Sequence, residues 1–179
     1  MSKADAKKLG YVGSKPGAKR NSDAWFTPDP YLDSVRSCLG GIDLDPFSSK
    51  EANERVGATT YYTEKDDAFK KDWSTAKAKT AWMNPPYSAK LCRDSVRLFT
   101  LEYGRAFKEG IVLVNNATET QWFQLMLREA SAMCLTDHRI SFWNADGKAM
   151  SGNTRGQAFV YFGKETSRFL TEFSKHGIT

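Results

Sequence analysis

Gly110-Ile111-Val112-Leu113-Val114-Asn115 sets four aliphatic residues in a row between a glycine and an asparagine. A run this short and this continuously apolar suits a strand buried on both faces of a sheet. Successive side chains point to opposite faces, so both faces must then meet a core. Sheets of that kind carry helices on both sides, which points to an α/β fold. Working outward, residues 79–83 (Lys-Thr-Ala-Trp-Met) predict another buried strand, and residues 89–107 predict a helix with Leu91, Val96, Leu98, Phe99 and Leu101 on or near its apolar side. Residues 131–136 and 157–162 predict two strands able to pair antiparallel at one edge, with a helix at 119–130 before them and another at 165–175 after them. Upstream, Pro28 and Pro30 open a helix over 29–39 that presents Tyr31, Val35 and Leu39 on one face and stops at Gly40-Gly41. Residues 41–45 and 58–63 predict strands. Ser48 or Ser49 caps a short helix ending near residue 56, and a helical turn is expected at 66–73.

The chain has 179 residues and a net charge of +5, from 26 Lys and Arg against 21 Asp and Glu. Residues 1–22 alone hold Lys3, Lys7, Lys8, Lys15, Lys19 and Arg20 against Asp5, which accounts for the whole excess. They form an expected flexible basic arm, either a solubilising tail or a salt-sensitive phosphate tether. Residues 23–179 sum to zero and form one expected domain, too balanced in charge to coat nucleic acid by charge alone. No apolar run reaches the roughly 20 residues of a membrane span, and the start lacks the apolar segment of a signal peptide. Cys38, Cys92 and Cys134 are widely spaced and odd in number, and the only histidines are His138 and His176. That usage predicts reduced thiols in the cytoplasm, with no disulfide frame and no metal centre.

The strand at 79–83 runs into Asn84-Pro85-Pro86-Tyr87. In an open α/β sheet ligands gather at the carboxyl ends of strands, where this tetrapeptide falls. Two prolines fix φ and donate no N–H, which makes the turn stiff. The Asn84 amide oxygen and the Pro85 carbonyl are two acceptors able to converge on an exocyclic amine. Tyr87 offers a flat face on which an extruded base can stack.

This turn resembles the catalytic motif of amino-group methyltransferases that use S-adenosylmethionine. In order along the chain, Trp25-Phe26-Thr27-Pro28-x-x-Tyr31, Ile42-Asp43-Leu44-Asp45-Pro46-Phe47-Ser48, Asp67-Ala68-Phe69 with Trp73, and Asn84-Pro85-Pro86-Tyr87 resemble the phage-type Dam family of DNA N6-adenine methyltransferases. The resemblance implies a Rossmann-like, mostly parallel seven-stranded sheet with an antiparallel edge strand. It implies methyl transfer from S-adenosylmethionine to N6 of a flipped adenine in double-stranded DNA, with Asn84, Pro85, Pro86 and Tyr87 as catalytic residues. It also implies cofactor contacts from Trp25, Thr27 and Pro28 beside the methionine portion, from Asp43, Asp45 and Pro46 near the ammonium, and from Asp67 and Phe69 at the cofactor's adenine; Glu64 is a weaker candidate for the ribose. A carboxylate suits a cationic ligand, and residues 23–54 hold seven acidic residues against Arg36 and Lys50. Two departures stand out. Asp-Pro-Phe-Ser-Ser replaces the Gly-rich turn of larger methyltransferases, and the motif begins with Asn rather than Asp, an acceptor without charge.

DNA contacts are expected from two regions. Arg93 and Arg97 lie four apart on one helical face after the catalytic turn. The polar stretch 138–156 carries Arg139, Asn153 and Arg155, with Asn144 and an exposed Trp143, and suits insertion into a groove. The motif also serves methylation of RNA adenine or protein glutamine, and a non-catalytic DNA-binding relic of the fold is a third reading.

Overall fold

The computed structural model describes residues 25–144, 146–150 and 152–179. The basic arm expected at residues 1–22 lies outside the described residues. The elements in chain order are α1 (Asp29–Leu39), β1 (Leu44–Asp45), α2 (Lys50–Val56), β2 (Thr60–Tyr61), a 3-10 turn (Trp73–Ala76), β3 (Thr80–Met83), α3 (Ala89–Glu102), β4 (Glu109–Asn115), α4 (Gln121–Glu129), β5 (Ala132–Thr136), β6 (Gln157–Phe162), α5 (Thr166–Phe173) and β7 (Gly177–Ile178).

The seven strands form one mixed sheet in the order β2-β1-β3-β4-β6-β5-β7. β1 pairs in parallel with β2 and β3, and β3 with β4, whereas β6 runs antiparallel to both β4 and β5. Five strands therefore share one direction, but the reversed strand expected at the edge is interior. The antiparallel edge is instead β7, two residues paired with β5 after the last helix. Sequence reading passes over β7 because Gly177-Ile178 is too short to show a period. β6 can be interior because Gln157–Phe162 is buried along its whole length, while β5 is only half-buried beside it.

β4 behaves as its sequence demands. Ile111 and Leu113 join one core with Tyr31, Val35, Phe159 and Phe173; Val112 and Val114 join the other with Met83, Val96, Phe99 and Phe123. α1 and α5 cover the first face, and α3 and α4 the second. Gly110 is required where β4 passes under α3, since a Cβ there would stand 2.8 Å from Phe99 and 2.9 Å from Phe107. α1 ends where expected, with Gly40 left-handed at φ 72° and its N–H bonded to the Arg36 carbonyl. α2 is capped by Ser49, whose hydroxyl accepts from Ala52 N.

α3 stops at Glu102, five residues short of the expected end, where residues 103–107 turn tightly back to β4. Leu91 and Leu101 accordingly lie exposed, and Cys92, Val96 and Phe99 make the buried face. The stretch 66–73, expected as a helical turn, carries a hydrogen-bonded turn from the Asp67 carbonyl to Lys70 N, and a 3-10 turn capped by Asp72 begins only at its end, over Trp73–Ala76. Cys38, Cys92 and Cys134 are buried free thiols, each pushed up to about 11 by burial. Among the described residues no helix is long and apolar enough to cross a membrane.

Candidate active site

β1, β3 and β4 run parallel, so their carboxyl ends open on one side of the sheet. β3 delivers Asn84 there, directly after the buried Met83. The Asn84 Nδ2 donates to the Thr27 Oγ1 at 3.2 Å and the Trp25 carbonyl at 3.4 Å. Its Oδ1 is buried and finds no partner among the described residues. An acceptor kept from protein partners and left unbonded costs roughly 1–3 kcal/mol, so this atom gains from any water or ligand donor that reaches it.

A cleft of about 160 Å³ opens beside this turn, lined by Trp25, Tyr87, Asn115, Phe142 and residues 152–155. Its walls are aromatic. Trp25 stacks on Phe142 with centroids 5.5 Å apart, and Tyr87 meets Phe142 edge-on at 6.0 Å. Tyr87 is half-buried, its hydroxyl donates to the Leu113 carbonyl at 3.4 Å, and burial holds its phenol well above the usual range. The structure thus brings Tyr87, Trp25, Asn153 and Arg155 together around one opening, and Asn84 is tied to the Trp25 wall by its hydrogen bond to that residue's carbonyl. Phe142 and Asn115 are wall residues that the sequence reading missed. An apolar residue inside a polar loop and a polar residue ending an apolar strand were the available signals.

The described residues of the stretch 138–156 are more tightly held than its composition indicates. Ile140 and Phe142 are buried, and Trp143 is half-buried under the Arg55 guanidinium, 5.0 Å from its ring, where exposure was expected. Phe26 and Trp143 exchange two backbone hydrogen bonds of 2.9 Å. Gln157, fully buried at the start of β6, accepts from Ile140 N and donates to Asn115 Oδ1, Asn153 Oδ1 and the Arg155 carbonyl. Asn153 also donates to the Ile140 carbonyl and accepts from Arg155 N, which makes it a brace of the loop; the Arg155 and Arg139 side chains are exposed.

The expected cofactor residues divide. Asp45 ends β1 at the open side, only 3% exposed, with Pro46 buried behind it. Its carboxyl accepts from Phe47 N, yet burial dominates and pushes it up to about 7. Nearby, Phe47 packs edge-on against Phe69 at 5.3 Å, and Phe69 remains 42% exposed. Asp67, left-handed at φ 54°, accepts from Phe69 N and pairs with Lys70, which holds its carboxyl below the usual range. Asp43 does not join this group. Its Oδ2 accepts from Lys79 N and Thr80 N at 2.7 and 3.1 Å, which ties it to the start of β3 at the opposite end of the strand. Thr27 and Pro28 are buried, with Thr27 facing Asn84. Glu64 is exposed just past β2.

The folded pKa of Asp45 lies above the ordinary carboxylate value, so this group favours folding when protonated. Its contribution declines as pH rises from about 4 to about 7. Relative to an Asp45→Asn variant, the native protein is expected to lose melting temperature between pH 5 and pH 8. A constant difference across that range would contradict a carboxyl kept protonated by burial.

Arg93 and Arg97 line a second cleft, of about 390 Å³, between α3 and α4, together with Trp122, Leu125 and Arg128. Arg93 is paired with Asp94 at 2.8 Å. Among the described residues no cluster of three or more His, Cys, Asp or Glu could hold a metal.

A stiff amide-bearing turn thus stands at the end of a central strand, beside an aromatic cleft. A sequence model of the DNA N-6-adenine-methyltransferase (Dam) family matches residues 15–178, and the chain belongs to that family. It is 28% identical over 147 residues to a DNA N-6-adenine-methyltransferase of Haemophilus phage HP1, covering 80% of each chain. It is 27% identical over 160 residues to a protein of the same description from Escherichia phage T1, covering 82% of this chain and 64% of that relative. No solved structure matches it.

Proposed function

We propose that the chain transfers a methyl group from S-adenosylmethionine to the N6 amine of an adenine flipped out of duplex DNA, on a sheet of the Rossmann-like methyltransferase kind. The observation that carries this reading is the unpartnered Asn84 Oδ1 behind the Trp25, Tyr87 and Phe142 walls. An amine is the partner that this acceptor lacks, and an aromatic cleft is the surface on which a flipped base stacks. Asn84 and the Pro85 carbonyl hold the amine, and Tyr87 stacks on the base. Asp45 fits the cofactor's ammonium, because a cation relieves the cost of ionising a buried carboxyl, and Phe69 with Asp67 fits its adenine. When bound, S-adenosylmethionine supplies an electrophilic methyl carbon. The chain's residues contribute orientation and exclusion of water, which can account for most of such a barrier. The relatives come from phages, and we place the reaction in the cytoplasm of the host cell.

DNA is met by two surfaces. Arg155 at the rim of the aromatic cleft and the exposed Arg139 of the same loop face the bases, and the groove of Arg93, Arg97, Arg128 and Trp122 takes the phosphate backbone. Arg155→Ala is expected to flatten the sequence preference. Arg97→Ala with Arg128→Ala is expected to weaken all sequences alike and to reduce the slope of log affinity against log salt by about 2. Equal salt slopes for native and double variant would remove the groove from the DNA path.

The reaction itself is tested by incubating the protein with methyl-labelled S-adenosylmethionine and duplex DNA, then separating the nucleosides. Label is expected on N6-methyladenine. An unlabelled duplex, with label passing instead to RNA or to protein glutamine, overturns the substrate.

A further inference from the structure

We infer that Trp25-Phe26-Thr27 is a strap that fixes the orientation of the Asn84 amide, and that Thr27 is a positioning residue for methyl transfer rather than a cofactor contact. This rests on the reading of Asn84 as the residue that holds the target amine. A side-chain amide has an oxygen end and a nitrogen end, and only the oxygen can accept from an amine. A carboxylate at this position would need no such choice, but this chain has asparagine.

The strap makes the choice. The Trp25 carbonyl can only accept, so the group 3.4 Å from it must be the NH2 end of Asn84. The Thr27 Oγ1 accepts the second N–H at 3.2 Å. With both N–H bonds occupied on the strap side, Oδ1 is turned away from it and left open. Were the amide reversed, it would set oxygen against oxygen at Trp25 and offer the incoming amine a donor. Thr27 is 4% exposed, so water cannot replace its hydroxyl.

The two neighbours of Phe26 face Asn84, and Phe26 itself is bonded through N and O to Trp143. Alternation along an extended segment gives the strap two edges, one on the catalytic amide and one on the loop that carries Arg155. The loop and the amide are therefore held by the same three residues.

Thr27→Val keeps the volume and removes the oxygen; Thr27→Ser keeps the oxygen. With duplex DNA and S-adenosylmethionine, Thr27→Val is expected to lower kcat about tenfold, the value of one hydrogen bond of roughly 1.4 kcal/mol, with the KM for S-adenosylmethionine unchanged. Thr27→Ser is expected to stay within about twofold of the native kcat. Melting curves of both variants check that the fold is kept. A raised KM for S-adenosylmethionine at unchanged kcat would make Thr27 a cofactor contact and overturn the inference. So would an unaffected Thr27→Val, or a Thr27→Ser as slow as Thr27→Val. If the native protein transfers nothing to adenine, the reading of the site itself fails; an active native protein with any of the three results above removes the strap alone.

Discussion

An Asn84→Ala variant is expected to methylate DNA about 10²–10³-fold more slowly than the native protein at saturating DNA and cofactor, the usual cost of deleting one preorganised polar contact to the reacting centre. Three features support a large effect. The oxygen is buried and unbonded, so it is held ready without first giving up another partner. The turn that carries it contains two prolines, so the backbone does not relax into the gap. The neighbouring strap orients this side chain, and the Pro85 carbonyl, the amine's second acceptor, is fixed in the backbone and cannot move into its place. Alanine also releases the Trp25 carbonyl and Thr27 hydroxyl from their partner, and DNA binding should therefore be measured alongside the rate. An affinity kept within a few-fold, with kcat reduced, assigns the loss to the chemical step. A variant that methylates at the native rate would remove Asn84 from the site.

The largest effect on stability is expected at Phe159. It is fully buried on the interior strand β6, with rings of Tyr31, Trp82, Phe173 and His176 at centroid distances of 5.6, 6.4, 5.0 and 6.3 Å. Phe159→Ala is expected to cost about 3–5 kcal/mol in denaturant unfolding, because four surrounding rings cannot close on the cavity. That is a large part of the roughly 5–15 kcal/mol typical of a domain. A cost below about 1 kcal/mol would mean that α1, α5 and β6 do not share one core.

How far an interaction reaches along the chain decides whether the local sequence shows it. Elements set by local rules stand where the residues put them: α1 between Pro28 and Gly40, α2 behind Ser49, and β4 as an unbroken aliphatic run. Asn84 was visible because two prolines and an aromatic residue beside it are a rare local grouping. What the sequence hid is long-range. Nothing near Thr27 shows that it faces residue 84, and nothing near Asp43 shows that its carboxylate is occupied by Lys79 N and Thr80 N. The same holds for the loop after β5. Its polar composition indicated a loose surface segment, but Gln157, which holds four positions of that region and of β4 together, counts in a composition as one more polar residue. Arg93 and Arg97 do share a helical face, but that face opens on a groove with α4, separate from the cleft that holds Arg155.

The interior place of β6 governs the order in which the molecule can be made. During synthesis β1 to β4 emerge first and can pair in parallel, but β4 then shows a bare edge of unpaired N–H and C=O groups amid aliphatic side chains, and β5 emerges with no strand to lie against. Both wait for residues 157–162, which join them at once, and the loop that braces the active site closes in the same event. Until then the nascent chain carries an unpaired strand edge of the kind that seeds aggregation. Speed of translation through residues 116–162 should therefore matter more to the yield of active enzyme than speed through any earlier segment.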